Sequence, residues 1–304
     1  MSIVSGSSPS NSRKKCIFCG ANYLTKQHLY PKWSHDLLKS KIDADKEWYR
    51  YRGRFVEGNL NTSEETDLFD FLNDNQVKCV CGARKTAAGH VSGCNNTWMS
   101  EIEDLARPVV RKLMVDDAVN LEKADQVKLA TWMALMTFIH EWSNPKQISL
   151  PSSYRHNFLR EFKKFKTVSS ANIFSIWIFR HEAKQWAVRS LGQSHYVRDY
   201  LSFYTHPRST QNTTSCMYGM GNLAFLCVGS THMDFVKNLN IRNATRLWPN
   251  KGDSIDWSKE KIRSDEDLWF LARITGYCLE REMFGVRWGA YYFDENLDYI
   301  PNSD

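Results

Sequence analysis

The spacing of the cysteines constrains this chain more than any other feature of its sequence. Cys16 and Cys19 are separated by two residues, a spacing that lets the backbone turn and direct both sulfurs towards one tetrahedral ion. Five of the eight cysteines lie in the first third of the chain: Cys16, Cys19, Cys79, Cys81 and Cys94. In a reducing compartment such clustering favours a metal site over disulfides.

The spacing of the cysteines leaves the identity of the fourth metal ligand open. Cys94 is the expected third ligand, because a helical pattern begins directly after it. Position 91, where a second Cys-x2-Cys pair would start, holds Val91, and His90 lies one residue earlier. The spacing favours a structural zinc with four ligands: Cys16, Cys19, His90 and Cys94. Cys81 stays open as the alternative to His90, and Cys79 and Cys81 are otherwise interpreted as buried thiols.

The lack of long apolar runs in the sequence indicates where in the cell the protein is located. Residues 1–14 are polar and lack the apolar core of a secretory signal, and no run approaches the length of a membrane span. We therefore expect a cytoplasmic protein that has a flexible tail at 1–14 and makes no membrane contact.

The hydrophobic pattern predicts an α+β protein in two parts. With 42% hydrophobic and 24% charged residues, the composition excludes a disordered chain, a collagen and a coiled coil. Residues 15–106 are poor in aliphatic side chains, which indicates a small domain held together by zinc, and 107–304 form a larger α+β accessory domain. The main predicted elements are a helix at 95–106 that ends before Pro108, a helix at 123–142, strands at 173–179 and 223–228, and a helix capped by Ser264.

A histidine and an asparagine lie beside the two parts of the metal pattern. His28 follows Cys19 by nine residues, and Asn95 follows Cys94 directly. A zinc ion that joins the two segments would bring His28 and Asn95 together. A neutral imidazole accepts a proton near working pH, and an amide oxygen can bind a hard ion such as Mg²⁺ or Mn²⁺. The pair therefore suits metal-assisted hydrolysis of a phosphodiester.

Three stretches together resemble the HNH (His-Me finger, ββα-metal) endonucleases of bacteria and phages. The matching residues are Cys16-x2-Cys19-Gly20, then Gln27-His28-x2-Pro31-x-Trp33, then Cys94-Asn95-Asn96-x-Trp98-Met99-Ser100-x2-Glu103. The resemblance implies a ββα-metal nuclease domain over 15–106 that acts on DNA. It also implies that His28 is the general base, that Asn95 is a ligand of a catalytic Mg²⁺ or Mn²⁺, and that the zinc is structural.

Two positions depart from the pattern of that family. The residue before the histidine is commonly Asp or Glu and binds the catalytic ion, whereas this chain has Gln27. Because a neutral amide binds Mg²⁺ more weakly than a carboxylate does, we expect loose binding by Gln27 with a contribution from Glu103. Val91 replaces the third cysteine of the zinc site. The alternative function is a non-catalytic zinc-finger module that binds DNA or a protein through a degenerate HNH site.

The charge distribution favours an anionic partner. The chain has a net charge of +6, and Lys26 and Lys32 flank His28. Residues 47–55 alternate aromatic side chains with Arg50, Arg52 and Arg54, which predicts a strand with the three arginines on one face. We expect these five basic residues to contact DNA phosphates. By resemblance, HNH proteins of this kind act in antiphage defence or in mobile elements, so partner subunits are also expected.

Overall fold

The architecture comes from a computed structural model of the full chain. It describes residues 15–40, 52–56, 59–63, 76–87, 89–115, 118–143, 148–167, 173–182, 188–195, 212–232, 236, 239, 241, 244–250, 252–268, 270–272, 275, 292–293 and 299–300. The predicted tail at 1–14 and Arg50 lie outside these residues. Within them, no helix combines the length and the apolar character that crossing a membrane requires.

Short strands and two helices surround the clustered cysteines. Strand β1 (Thr25–His28) pairs antiparallel with β4 (Gln76–Val80). Two hairpins join β2 (Arg52–Val56) to β3 (Asn59–Ser63) and β5 (Arg84–Thr86) to β6 (Gly89–Val91). Helix α1 (Lys32–Ser40) follows β1, and a 3-10 turn at Cys94–Asn96 leads into helix α2 (Trp98–Met114).

A six-stranded sheet dominates the rest of the described chain. Its strands are β8 (Phe174–His181), β9 (Val188–His195), β10 (Thr213–Met220), β11 (Leu223–Ser230), β12 (Thr245–Trp248) and β14 (Ile262–Arg263). Their order is β12-β8-β11-β10-β9 with antiparallel neighbours, and β14 pairs with β8 in parallel. Two-residue strands form two further pairs: β7 (Asn120–Leu121) with β13 (Ile255–Asp256), and β15 (Tyr292–Phe293) with β16 (Tyr299–Ile300).

Alternation along the strands explains how both faces of the sheet are covered. On β8, Ile176 and Ile178 belong to one hydrophobic cluster, whereas Trp177 and Phe179 belong to the other. Successive side chains of a strand point to opposite faces of the sheet. One run of apolar residues can therefore contribute to the hydrophobic clusters on both faces. Residues of α2, α3 (Lys123–Glu141) and α4 (Ser152–Phe165) share the first cluster, and the helical segment after Ser264 contributes to the second. The fold is therefore α+β, as predicted.

The metal-binding part and the sheet share one hydrophobic core. Three aromatic contacts join the metal-binding part to helix α3 and to the sheet: Phe18 with Phe138 and Trp33 with Trp132 on α3, and Tyr30 stacked on Tyr218 of β10 at 4.9 Å between ring centroids. The Tyr218 hydroxyl also donates to the main-chain oxygen of Leu29, the residue after His28. Helix α2 runs through residue 106, where the sequence suggested a boundary. The position of His28 therefore depends on packing against the large sheet.

Several predicted elements are confirmed and one helix end is wrong. The helix at 123–142 is α3, and the strands at 173–179 and 223–228 form most of β8 and β11. Ser264 is a helix cap, because its hydroxyl accepts from the Asp267 N–H at 3.2 Å. Pro108 does not end its helix, since α2 continues to Met114. A proline removes one hydrogen bond to the carbonyl four residues earlier, and both Pro108 and Asp104 are exposed, where water can bond that carbonyl.

Tyr218→Phe tests whether this contact supports the segment that carries His28. The substitution keeps the ring stacked on Tyr30 but leaves the buried Leu29 carbonyl without its donor, so we expect a loss of about 1–3 kcal/mol of unfolding free energy. Urea unfolding measures it. The matched control is Tyr154→Phe, at a partly buried tyrosine of α4. Equal stabilities of the two variants would contradict the assigned role of the Tyr218 hydroxyl.

Candidate metal centre and the adjoining histidine site

Four cysteines from two segments of chain, 15–35 and 76–100, meet at one point. Their sulfur atoms all lie within 4.8 Å of one another: Cys16, Cys19, Cys81 and Cys94. Cys16 and Cys19 lie in the turn before β1, Cys81 directly follows β4, and Cys94 begins the 3-10 turn before α2. The Cys19 and Cys81 sulfurs are 3.5 Å apart, and the Cys94 N–H donates to the Cys81 sulfur at 3.1 Å.

Main-chain hydrogen bonds fix the segments that carry the four sulfurs. The Ile17 N–H donates to the Cys79 oxygen at 3.0 Å, and the Asn95 N–H donates to the Cys81 oxygen at 3.0 Å. Gly93 lies against this junction so closely that a Cβ there would be 2.4 Å from the Cys81 oxygen. Only glycine fits that position without displacing backbone, so the sequence enforces the close approach.

The four sulfurs suit a tetrahedral zinc ion. With zinc–sulfur bonds of about 2.3 Å, tetrahedral sulfurs stand about 3.8 Å apart, which the observed cluster can reach with small side-chain movements. The structure brings the open alternative Cys81, and not the favoured His90, to the other three cysteines. His90 lies on exposed strand β6, where it pairs with Lys85, whereas Cys81 is buried beside the other three cysteines. The structure therefore gives a four-cysteine site.

Cys79 has a different role from Cys81, although one residue separates them. Cys79 lies within β4 and is fully buried in the hydrophobic core, and burial raises the pKa of its thiol far above the usual range. It is an inert core residue, as the sequence interpretation had it. A signal that favours Cys81 was present in the sequence, because Gly82 follows it as Gly20 follows Cys19.

The thiols strongly perturb one another. A hydrogen bond with Cys94 lowers the pKa of Cys16 to about 4, and the same bond raises the pKa of Cys94 far above the usual range. Burial raises the pKa of Cys81 to about 11. The hydrogen bond between Cys16 and Cys94 therefore favours the thiolate at Cys16 and the thiol at Cys94. Zinc binding would displace the proton of each remaining thiol, because cysteine ligates as a thiolate.

His28 ends β1 beside two polar neighbours that the sequence did not single out. Its ladder partner on β4 is Gln76, whose amide nitrogen is 3.2 Å from the His28 Nε2. The His35 ring, on α1, stands 5.8 Å from the His28 ring, and the His35 Nε2 is 3.1 Å from the Tyr30 oxygen. Gln76 and His35 therefore position the half-buried His28 ring. The cross-strand register, unlike residue type, cannot be read from sequence.

Gln27 and Glu103 contact each other directly. The Gln27 amide donates to the Glu103 Oε1 at 3.3 Å, which joins β1 to the first half of α2. Burial raises the pKa of the Glu103 carboxyl to about 7, although nearby Arg107 opposes the shift. Two of the three residues expected at a catalytic ion are thus brought together, and Asn95 is the third. The recorded hydrogen bonds of Asn95 are made by its main chain, to Cys81 and to the Ser100 hydroxyl.

The basic residues expected at DNA divide into two groups. Lys26 and Lys32 are exposed on either side of His28, as predicted. Arg52 and Arg54 lie in β2, opposite Ser63 and Asn61 of β3. The predicted strand therefore exists in its second half, Arg50 lies outside the described residues, and DNA contact by the three arginines stays a prediction.

Exchange of single ligands tests the four-cysteine site. We expect Cys81→Ser to lose bound zinc and thermal stability, because three thiolates and a hydroxyl bind zinc poorly. His90→Ala, on the exposed hairpin, should keep both. Elemental analysis of the purified proteins gives the zinc content per chain. Retention of zinc by Cys81→Ser together with its loss from His90→Ala would favour the ligand set with His90 in place of Cys81.

Glu103→Gln tests the buried carboxyl. Its folded pKa of about 7 exceeds the ordinary value of 4.5, so the folded protein binds more protons between these limits than the unfolded chain does. The contribution of Glu103 to stability therefore falls as pH rises through this window. Urea unfolding from pH 5 to 8 without added divalent ions should show a shallower decline for Glu103→Gln. Exposed Glu266→Gln is the control, and an unchanged decline in Glu103→Gln would contradict the assignment.

Comparisons with known proteins place this chain in no family. No family model, no curated protein and no solved structure matches it. The function is therefore argued from the geometry above and from the three motifs that resemble the HNH endonucleases.

Proposed function

We propose that this protein is a metal-dependent endonuclease of the HNH type that hydrolyses phosphodiester bonds of DNA. The observation that carries the proposal is the direct contact of β1 with α2 through Gln27 and Glu103, at the residue that precedes His28 in β1. A four-cysteine centre lies at the start of the same two elements. Strands β1 and β4 pair antiparallel, and helix α2 contacts β1, which supports the proposal of a site built from two strands and a helix.

His28 acts as the general base in this proposal. In its neutral form the imidazole takes a proton from the water that attacks phosphorus, a role worth roughly 10²–10⁴-fold in rate. Gln76 and His35 hold the ring, and the Gln76 amide can present either its oxygen or its nitrogen to it. Lys26 and Lys32 supply positive charge on either side of the base.

A hard divalent ion, Mg²⁺ or Mn²⁺, would take the oxygen ligands next to His28. The donors are the Glu103 carboxylate and the amide oxygens of Gln27 and Asn95, a set that fits such an ion in chemistry. When bound, the ion would polarise the scissile phosphate and stabilise the leaving 3′ oxygen. Gln27 must turn its amide to offer oxygen, since its nitrogen faces Glu103. The zinc centre is structural and holds the two segments in place.

One observation favours the second candidate, a non-catalytic zinc-finger module. The Gln27 amide already satisfies the Glu103 carboxyl by hydrogen bonding, so the pair is stable without an ion. In that case the four-cysteine centre would serve only to present a binding surface. Action in antiphage defence or in a mobile element, with partner subunits, belongs to the first candidate and rests on the motif resemblance.

Supercoiled plasmid incubated with Mg²⁺ or Mn²⁺ separates the two candidates. We expect the wild type to nick or linearise it, His28→Ala to lose about 100-fold or more in rate, and Gln27→Glu to gain activity at low metal concentration. His156→Ala, at an exposed histidine of α4, is the matched control. Cleavage that survives His28→Ala would rule out the endonuclease mechanism. Intact plasmid with both wild type and Gln27→Glu would favour the zinc-finger module.

A further inference from the structure

The two segments that build the metal centre contain no acidic residue. Stretches 15–35 and 76–100 hold six basic residues and neither Asp nor Glu, although the whole chain has 34 acidic and 40 basic residues. All six basic side chains are exposed: Lys15, Lys26, Lys32, Lys78, Arg84 and Lys85. These two segments therefore carry six positive charges and no negative one.

The ladder of β1 and β4 places like charges directly opposite each other. Lys26 pairs with Lys78 across the two strands, an arrangement that costs stability in the absence of a counter-charge. Among the described residues, neither lysine makes an ion pair with a carboxylate. An anionic partner that lies across the strands would remove this repulsion.

The lysine pair lies on the same face of the ladder as His28. Side chains two residues apart on a strand share a face, so Lys26 lies with His28 and Lys78 with Gln76. The opposite face is buried and holds Gln27 and Val77. Two residues of strand cover about 7 Å, so a chain of phosphates that contacts the lysines would also pass over His28.

Hairpin β5–β6 extends the charge next to the zinc ligand Cys81. Arg84 and Lys85 are exposed there, and the Arg84 guanidinium lies 4.0 Å from the centre of the Tyr23 ring. That contact covers one face of an aromatic ring on which an unpaired base could otherwise stack. A surface of spaced cations with its nearest aromatic ring covered fits a duplex backbone better than single-stranded bases.

We propose that the outer face of the β1–β4 ladder and hairpin β5–β6 together bind the phosphate backbone of duplex DNA. The contacts are Lys26, Lys78, Arg84 and Lys85, and we refer to these residues as the basic ladder surface. This inference rests on the proposed function and adds to it the place where the duplex lies. It moves the principal contacts to three residues that the sequence pattern did not indicate.

Charge reversal on the basic ladder surface tests the inference without any cleavage step. The parent protein is His28→Ala with its zinc retained, and the probe is a fluorescent 25-base-pair duplex, measured by anisotropy without added Mg²⁺. We expect Lys26→Glu with Lys78→Glu to weaken binding about tenfold or more at low salt. The negative slope of log affinity against log salt should become shallower by about 2, because two phosphate contacts are lost.

The matched control reverses the same number of charges elsewhere. Lys112→Glu with Lys163→Glu changes two exposed lysines, on α2 and α4, and should leave affinity and salt slope within about twofold of the parent. Equal weakening by both double variants, or undetectable binding by the parent, would overturn the inference. Circular dichroism melting of each variant confirms that the fold is kept.

The binding result and the plasmid result are independent. Suppose that Lys26→Glu with Lys78→Glu loses duplex binding and that the wild type leaves plasmid intact. This result would support DNA binding by the basic ladder surface and reject the endonuclease. Cleavage by wild type together with unchanged binding by Lys26→Glu with Lys78→Glu would support the endonuclease and reject the surface.

Discussion

Four sulfur atoms hold together two stretches of chain that are far apart in the sequence. Cys19 and Cys81 are 62 residues apart, and their sulfurs stand 3.5 Å from each other. Bringing such distant segments together costs chain entropy, and a metal ion bound by all four thiolates would offset that cost. The β1–β4 ladder, the turn at Gly93 and the first turn of α2 all begin at these cysteines. The arrangement of Gln27, His28 and Glu103 depends on this junction, because β1 and α2 supply all three.

The large sheet gives the second support for the same site. Tyr30 stacks on Tyr218, and the Tyr218 hydroxyl bonds the carbonyl of Leu29, so the residues that follow His28 are packed against β10. Phe18, between the first two cysteines, packs against Phe138 of α3. A small metal-held segment has few apolar residues of its own, and here it completes its core with side chains from the rest of the chain. The accessory part therefore has a stabilising role at the candidate site. This role is separate from any surface that the accessory part offers to a partner.

The sequence revealed residue types and local periodicity, and it could not reveal register. The helix at 123–142 and the strand at 223–228 followed from apolar spacing alone, and His28, Gln27 and Glu103 followed from the motifs. The preference for His90 over Cys81 differs from the cluster in the structure, because the cluster depends on where β4 ends and on a hairpin that keeps His90 exposed. Gln76 was missed for the same reason, since only strand pairing places it opposite His28.

The hydrogen bond between Gln27 and Glu103 is compatible with both candidate functions. Two carboxylates at this separation would repel each other and would require a cation between them, whereas an amide and a carboxyl satisfy each other by a hydrogen bond. Gln27 thus provides a neutral hydrogen-bond donor to Glu103. This hydrogen bond keeps β1 against α2 when no divalent ion is bound. The same hydrogen bond must open before Glu103 and the Gln27 oxygen can both face a metal. In the proposed endonuclease, the strength of Mg²⁺ or Mn²⁺ binding would therefore be set by the competition between that hydrogen bond and the ion.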